Sequence, residues 1–392
     1  MKIKITSFIL LLVLSLSESF SQVTLSNGEH VLEISGGVSS YYNHRILNAD
    51  SDNRNKDRFR LRDAQLQLEG RIKNLYEYEL QVDFVDLAST TTGAIDPENP
   101  GLMDAYIRYK GLGFVDVQFG YGKLFYSRSS LVNFVSSPYW QRAQIVRGDI
   151  FSRRDVGVTL MKDLWRQRIN IYAGVYTGLG EITLRGDNDA SGQPEYVARV
   201  DFAYPTRYRY LEIDTRHTPI PMFAVGLSGR YTNKNLPEGR SFPPFSTGEY
   251  GLKQINGERY VYGFDAAFQY KGFSAQFEIH QLRGEPQSVS DALFHGYNEQ
   301  QTEGFFLAGG YYSQLNYFSK KLRTIFSVRY EELDLNDLVP GNSKRLSAAL
   351  AYQIKGFDSM IKFQYFNILE QEIIDPIRWS EQFRIGWQVN FR

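Results

Sequence analysis

Alternation of apolar and polar residues with period two recurs along most of this chain, and no other feature limits its possible folds as strongly. Near the C-terminus, Phe383, Ile385, Trp387, Val389 and Phe391 alternate with Arg384, Gly386, Gln388 and Asn390. Successive strand side chains point to opposite faces, so this stretch has one greasy face and one polar face. It suits the wall of a soluble sandwich or the wall of a barrel in a bilayer. Aromatics at both ends of the apolar face, Phe383 and Phe391, favour the bilayer, where a crossing strand meets headgroups twice.

The same pattern repeats upstream. After a weakly patterned first strand over Val31 to Tyr42, a second runs from Arg58 to Gly70, with Ala64, Leu66 and Leu68 on one face. Its early residues Phe59 and Leu61 are in the opposite phase, which implies a bulge or an end to the membrane crossing near Arg62. Further stripes begin at Tyr76, Met103, Val115, Val156, Ile169, Tyr196, Phe223, Tyr260, Phe273, Leu322, Leu346 and Ile361. Phe305 to Tyr317 is apolar on both faces, so its phase stays open. The count is about sixteen strands, an even number as barrels of this kind require. Their connections alternate short and long. The short ones repeat Lys110-Gly111-Leu112, Lys271-Gly272-Phe273 and Lys355-Gly356-Phe357, and the long ones are rich in Pro, Asn, Asp, Gly and Ser. Tight turns at one end and long loops at the other describe an outer-membrane barrel with periplasmic turns and external loops. Pro205 to Pro221 is long for the tight-turn end and has room for extra short strands.

The expected fold class is therefore all-β, a transmembrane antiparallel β-barrel of about sixteen strands. The totals agree. The 392 residues carry 44 Lys+Arg and 44 Asp+Glu, no Cys and 15% aromatics. Zero net charge argues against nucleic acid as a partner, and the lack of Cys removes disulfides and thiolate chemistry. Lys2 and Lys4, the apolar Phe8 to Leu16, and Ser19-Phe20-Ser21 form a secretory leader, so residues 1–21 are expected to be removed before a single domain, 22–392.

In so large a barrel the lumen is water-filled and lined by inward polar residues. The irregular segment Leu124 to Arg153 is the best candidate for an infolded loop. It carries Arg128, Arg142, Arg147 and Arg153 against one acid, Asp149. A positive ring at a constriction lowers the barrier for anions, and Arg grips phosphate bidentately. The competing reading puts these arginines outside, on lipopolysaccharide or neighbouring subunits. Arg58, Arg60, Arg62, Arg108 and Lys123 form a second candidate set for the path. Glu77, Glu79, Asp83, Asp104 and Asp116 share their face, so a wall-stiffening lattice of salt bridges competes there. Asp187, Asp189, Ser191, Gly192 and Glu195 open like a calcium loop, but the closing position is Ala198. His280 with Glu278 is the one imidazole–carboxylate pair worth weighing for an enzyme, and no Ser spacing completes it. Nothing in the sequence calls for a cofactor or a metal.

Several stretches resemble the phosphate-selective porin O/P family over most of the chain. They are Arg58-Phe59-Arg60-Leu61-Arg62 through Gly70, Asp104-Ala105-Tyr106-Ile107, Gly120-Tyr121-Gly122-Lys123, and Asp155-Val156-Gly157-Val158 leading to Gly174-Val175-Tyr176-Thr177-Gly178. The sequence departs from the family pattern at Leu124-Phe125-Tyr126, where the family commonly has Pro-Phe. The resemblance implies a sixteen-stranded, homotrimeric channel in the Gram-negative outer membrane, surrounded by lipid and lipopolysaccharide, that conducts small anions such as phosphate. A passive porin is the leading expectation. A barrel hydrolase and a non-conducting surface scaffold or adhesin are the alternatives.

Overall fold

The computed structural model describes residues 23–47, 57–87, 101–148, 150–178, 180, 192–234, 257–286, 305–334, 342–370 and 379–391. The leader 1–21, Asp149 and the Asp187–Ser191 stretch lie outside the described residues. Most of what is described is strand. The order is β1 (Val23–Asn27), β2 (His30–Leu47), β3 (Asp57–Ile72), β4 (Tyr76–Asp83), β5 (Leu102–Tyr109), β6 (Asp116–Lys123), β7 (Arg154–Leu164), β8 (Ile169–Tyr176) and β9 (Glu195–Tyr204). It continues with β10 (Met222–Lys234), β11 (Gly257–Tyr270), β12 (Phe273–Pro286), β13 (Phe306–Ser319), β14 (Thr324–Asp334), β15 (Ser343–Lys355), β16 (Ser359–Glu370) and β17 (Trp379–Phe391).

Each strand from β2 to β17 pairs antiparallel with the next. β17 pairs back onto β2 from Trp379↔Leu47 to Phe391↔Gly36, which closes a sixteen-stranded barrel. The extra strand β1 was not expected from the sequence. It pairs with β2 from Val23↔Ile34 to Asn27↔His30, so it continues the line of β17 along the same neighbour. The two ends of the described chain thus make one composite wall strand and leave less of β2's edge unpaired.

The residue pattern is inside out relative to a soluble domain. Val225, Leu227, Phe264, Leu315, Val328, Leu350 and Phe363 are exposed on the outer face. Gln276, Gln314, Asn316, Ser327, Arg329, Gln364 and Gln382 are buried on the inner one. The doubly apolar strand now has a phase. Leu315 and Tyr317 of β13 face out, while Ala308, Tyr312 and Phe318 are buried inside. A bulge falls where the phase flip put it: Ser39 pairs with Asp63 and Ser40 with Leu61, so Arg62 has no opposite residue.

The wall varies in height. β4, β5 and β6 have 8 residues each, whereas β11, β12 and β13 have 14. At about 3.4 Å per residue and a tilt near 40°, 8 residues rise only about 21 Å, less than the roughly 25 Å apolar band of such barrels. The short connections sit at the expected end, for example Ile72 to Tyr76 and Tyr270 to Phe273. The connection from Tyr204 to Met222 contains no strand; instead Tyr208, Ile213 and Asp214 are buried. Its length is used to reach inside the barrel rather than to add wall.

If the outer stripe faces lipid, Val328→Arg at the middle of β14 should cost about 2–4 kcal/mol. Denaturant unfolding from lipid vesicles measures it, and an unchanged midpoint would contradict the assigned face.

Candidate functional site

The loop between β6 and β7, residues 124–153, turns into the lumen. Its neck is closed by Leu124 N–H donating to the Arg153 carbonyl at 2.8 Å. A one-turn helix, Arg128–Leu131, and two 3-10 turns, Phe134–Ser136 and Gln144–Val146, give it local order. Ser127 caps the helix, its Oγ accepting from Ser130 N–H at 3.2 Å. One side of the loop is apolar. Leu124, Tyr126, Ile145, Val146, Ile150 and Phe151 pack on Val197, Val261, Leu282, Tyr312 and Leu333 from the tall wall.

An irregular segment enclosed in a barrel cannot leave its peptide groups bare, since each buried unpaired group costs about 1–3 kcal/mol. Wall side chains supply the partners. Arg199 of β9 donates to the Tyr126 carbonyl at 2.8 Å, Arg230 of β10 to the Ser152 carbonyl at 2.7 Å, and Gln388 of β17 to the Val135 carbonyl at 2.9 Å. Glu331 of β14 accepts from Gln144 N–H at 3.0 Å and Gln364 of β16 from Trp140 N–H at 2.8 Å. The densest anchor is Glu278 of β12. Its carboxylate accepts from Ser127 Oγ at 2.6 Å, Ser129 N–H at 2.5 Å and the Tyr312 hydroxyl at 3.3 Å, and lies 2.9 Å from His280 Nε2. Burial pushes the phenols of Tyr126 and Tyr139 well above their ordinary value, so both stay neutral hydroxyls.

The His280–Glu278 pair weighed for catalysis is therefore a fastening. The Ser127 hydroxyl bonds the carboxylate, and the imidazole bonds the same carboxylate. Nucleophile activation needs the hydroxyl on the imidazole instead.

With the loop packed against the tall wall, a cavity of about 70 Å³ remains beside the low wall. As about 10–15 Å³ admits one water, it has room for at most about five to seven water molecules, the scale of a partly hydrated small ion. The loop contributes Asn133, Phe134, Val135, Arg142 and Arg153 to its lining. The wall contributes Ser39, Arg62, Asp63, Gln65, Gln67, Gln81, Met103, Lys123, Arg154, Gln388 and Asn390. Among these residues five are cations and one, Asp63, is a carboxylate. The bulge explains how neighbours Arg62 and Asp63 both reach the cavity, with Arg62 Nη1 and Asp63 Oδ2 2.6 Å apart. Arg142 Nη2 donates to the Val132 carbonyl at 3.0 Å, and its Nη1 to the Ser129 carbonyl. The Phe134 ring packs against two guanidiniums, with Arg62 4.4 Å and Arg142 4.9 Å from its centroid.

Of the residues singled out in the sequence, Arg62, Lys123, Arg142 and Arg153 meet at this cavity. Arg147 stands behind it, donating through Nε to the Arg142 carbonyl at 3.0 Å. Arg128 points away, buried against the 205–221 connection, where Tyr208 and Tyr210 ring it. Arg58 and Arg60 sit on β3 above the bulge, opposite Asn43 and Tyr41. Arg108 lies in the lattice of the lower wall, 3.3 Å from Glu77, which also holds Lys110 at 2.6 Å. Arg154 and Lys362 were missed. Arg154 lines the cavity and is paired with Asp104 at 3.1 Å; Lys362 is buried behind Phe134 and Trp140. Both sit on inward positions of β7 and β16, which was the available signal.

Glu278→Ala removes the acceptor shared by Ser127, Ser129 and Tyr312. Loosening of the loop by about 1–3 kcal/mol is expected, seen as faster proteolysis within 124–153 while the strands stay intact. Unchanged cleavage would mean the anchor is dispensable.

The sequence matches the family described as phosphate-selective porin O and P over residues 33–368. No curated protein matches it. Among solved structures, Salmonella typhi OmpF in complex with daunomycin is similar with a TM-score of 0.57 at 10% identity, covering 94% of this chain and 100% of that one. The outer membrane channel DcaP of Acinetobacter baumannii gives 0.56 at 12% identity, covering 93% and 99%. The trimer form of OmpT from Vibrio cholerae gives 0.55 at 9% identity, covering 92% and 99%. At these identities the structures speak for the barrel alone, and the family match carries the assignment: this chain belongs to the phosphate-selective porin O and P family and is an outer-membrane porin.

Proposed function

We propose that the cavity beside the low wall is the constriction of a passive diffusion path that prefers small anions, phosphate among them, and that the protein catalyses no reaction. The observation that carries this is the lining: Arg62, Lys123, Arg142, Arg153 and Arg154 against Asp63, around room for at most about five to seven waters. Gln65, Gln67, Gln81, Gln388 and Asn390 supply neutral donors and acceptors that can replace water around a partly dehydrated ion. Arg58 and Arg60 lie on the route above and add positive charge to the entrance. A wall only about 21 Å high at β4 to β6, with Leu80, Ile107 and Phe119 exposed on it, supports a homotrimer in which neighbouring copies cover that side. Lipid and lipopolysaccharide then surround the taller wall. The leader is cleaved after Ser21.

The decisive measurement is the reversal potential of the reconstituted protein across a KCl gradient, repeated with phosphate present. An anion-selective potential, reduced as phosphate competes, is expected. A cation-selective potential would overturn the preference. Removing one unit charge about 6 Å from the ion path in a watery setting raises the anion barrier by about 0.7 kcal/mol and lowers the cation barrier by as much, so Arg62→Ala or Lys123→Ala should each lower the anion-to-cation permeability ratio about ten-fold. The preference should also fade as salt rises from 0.1 M to 1 M, because the screening length falls from about 10 Å to about 3 Å.

A further inference from the structure

The loop is held from the wall on most sides, its helix by Glu278, and it also meets a second segment of the chain. The connection between β9 and β10 enters the lumen from the opposite, short-turn end. It is first fastened to the wall. Asp214 accepts from Thr218 N–H at 2.9 Å, from Thr218 Oγ1 at 2.8 Å and from Gly272 N–H in the β11–β12 turn at 2.9 Å. The Glu212 carbonyl accepts from Ser274 Oγ at 2.7 Å and Asn316 Nδ2 at 3.1 Å. His217 Nε2 lies 2.9 Å from the Phe318 carbonyl.

From that base two contacts reach up to the loop. The buried Glu212 carboxylate accepts from Ser137 Oγ at 2.8 Å and from Gln314 Nε2 at 3.3 Å. Arg128, itself buried, donates to the carbonyls of Arg209 at 3.1 Å and Leu211 at 3.4 Å, with the Tyr208 ring 4.5 Å away. Ser137 directly follows the turn that presents Phe134 and Val135 to the cavity.

We infer that the 205–221 connection is a strut that sets the width of the anion path from below, and that Glu212 is its positioning residue. This rests on the reading of that cavity as the constriction. Glu212 acts through Ser137 on the turn carrying Phe134, and the Phe134 ring packs against both Arg62 and Arg142. A tight turn would serve to join β9 to β10. The long connection gives this turn a fixed support from its periplasmic side, in addition to the one that Gln388 of the cavity wall gives at the Val135 carbonyl.

The test is single-channel recording of the full-length protein in planar bilayers in KCl, comparing Glu212→Ala, Glu212→Gln and Ser137→Ala. Glu212→Ala is expected to add a wider, noisier conductance level occupied about ten-fold more than in the parent, as loss of one buried charge-assisted hydrogen bond implies. Its anion preference in that level should fall. Ser137→Ala should reproduce the effect, and the double variant should add nothing to it, because both cut one link. Glu212→Gln, which keeps an acceptor for Ser137, should restore most of the parent behaviour. A parent channel that conducts, with Glu212→Ala folded and heat-modifiable but unchanged in conductance levels and noise, would overturn the strut. A parent protein without current would instead refute the channel reading beneath it.

Discussion

The constraint on which the rest of this structure depends is the need to satisfy peptide groups inside the barrel. A water-filled barrel makes no demand of that kind, since its strands bond one another. Folding thirty residues of irregular chain into it does. The polar rows on the inner face of β9 to β17 answer that demand residue by residue. Arg199, Arg230 and Gln388 donate to loop carbonyls, while Glu278, Glu331 and Gln364 accept from loop amides. Many of these side chains would pass for channel lining by type and position. In the structure they are structural, and the surface left to solute is correspondingly smaller.

This division explains why the cavity sits off centre. Strands β9 to β17 are tall and carry the anchors, and they hold the loop to their side. Strands β4 to β6 are short and present Gln81, Met103 and Lys123, which do not bond the loop backbone among the described contacts. The bulge in β3 then adds two consecutive inward residues, Arg62 and Asp63, at the level of the Phe134 turn. A strand without the bulge would have turned one of them to the lipid. A single unpaired residue in the ladder thus helps set the charge of the cavity.

The barrel was legible because its signal is local. Period-two stripes, glycine turns and alternating connection lengths depend on residues a few positions apart, and they placed sixteen strands and the break in phase near Arg62. The short strand β1 escaped because five residues, Val23-Thr24-Leu25-Ser26-Asn27, carry too little pattern. The loop's inward path was suggested by length and charge, but its docking side was written in the wall. Val197, Val261, Leu282 and Leu333 are apolar residues on faces otherwise polar, clustered toward the long-loop ends of their strands. Such off-phase positions mark where a barrel interior is covered by protein rather than water. Which arginines reach solute was not legible. Arg128 and Arg142 look alike in sequence, yet one is bound to the carbonyls of a segment some eighty residues away and the other lines the cavity.

The charge of the cavity therefore follows from partners more than from composition. The chain is neutral overall, with 44 basic and 44 acidic side chains. Local excess arises because acids are spent elsewhere. Glu195 holds Arg230 and Arg259, Asp265 holds Arg199, Glu331 holds Arg329, and Glu77 holds Arg108 and Lys110, all on the wall or under the loop. At the cavity, Arg62 keeps Asp63 and Arg154 keeps Asp104, while Phe134 packs on Arg62 and Arg142 without adding an acid. An aromatic face attracts a guanidinium by its quadrupole yet carries no net charge. It can hold Arg62 and Arg142 in position without adding negative charge to the cavity. Replacing that ring by an acid would keep the loop fastened and neutralise one of the cations, so position and charge at this point are separable properties of one residue.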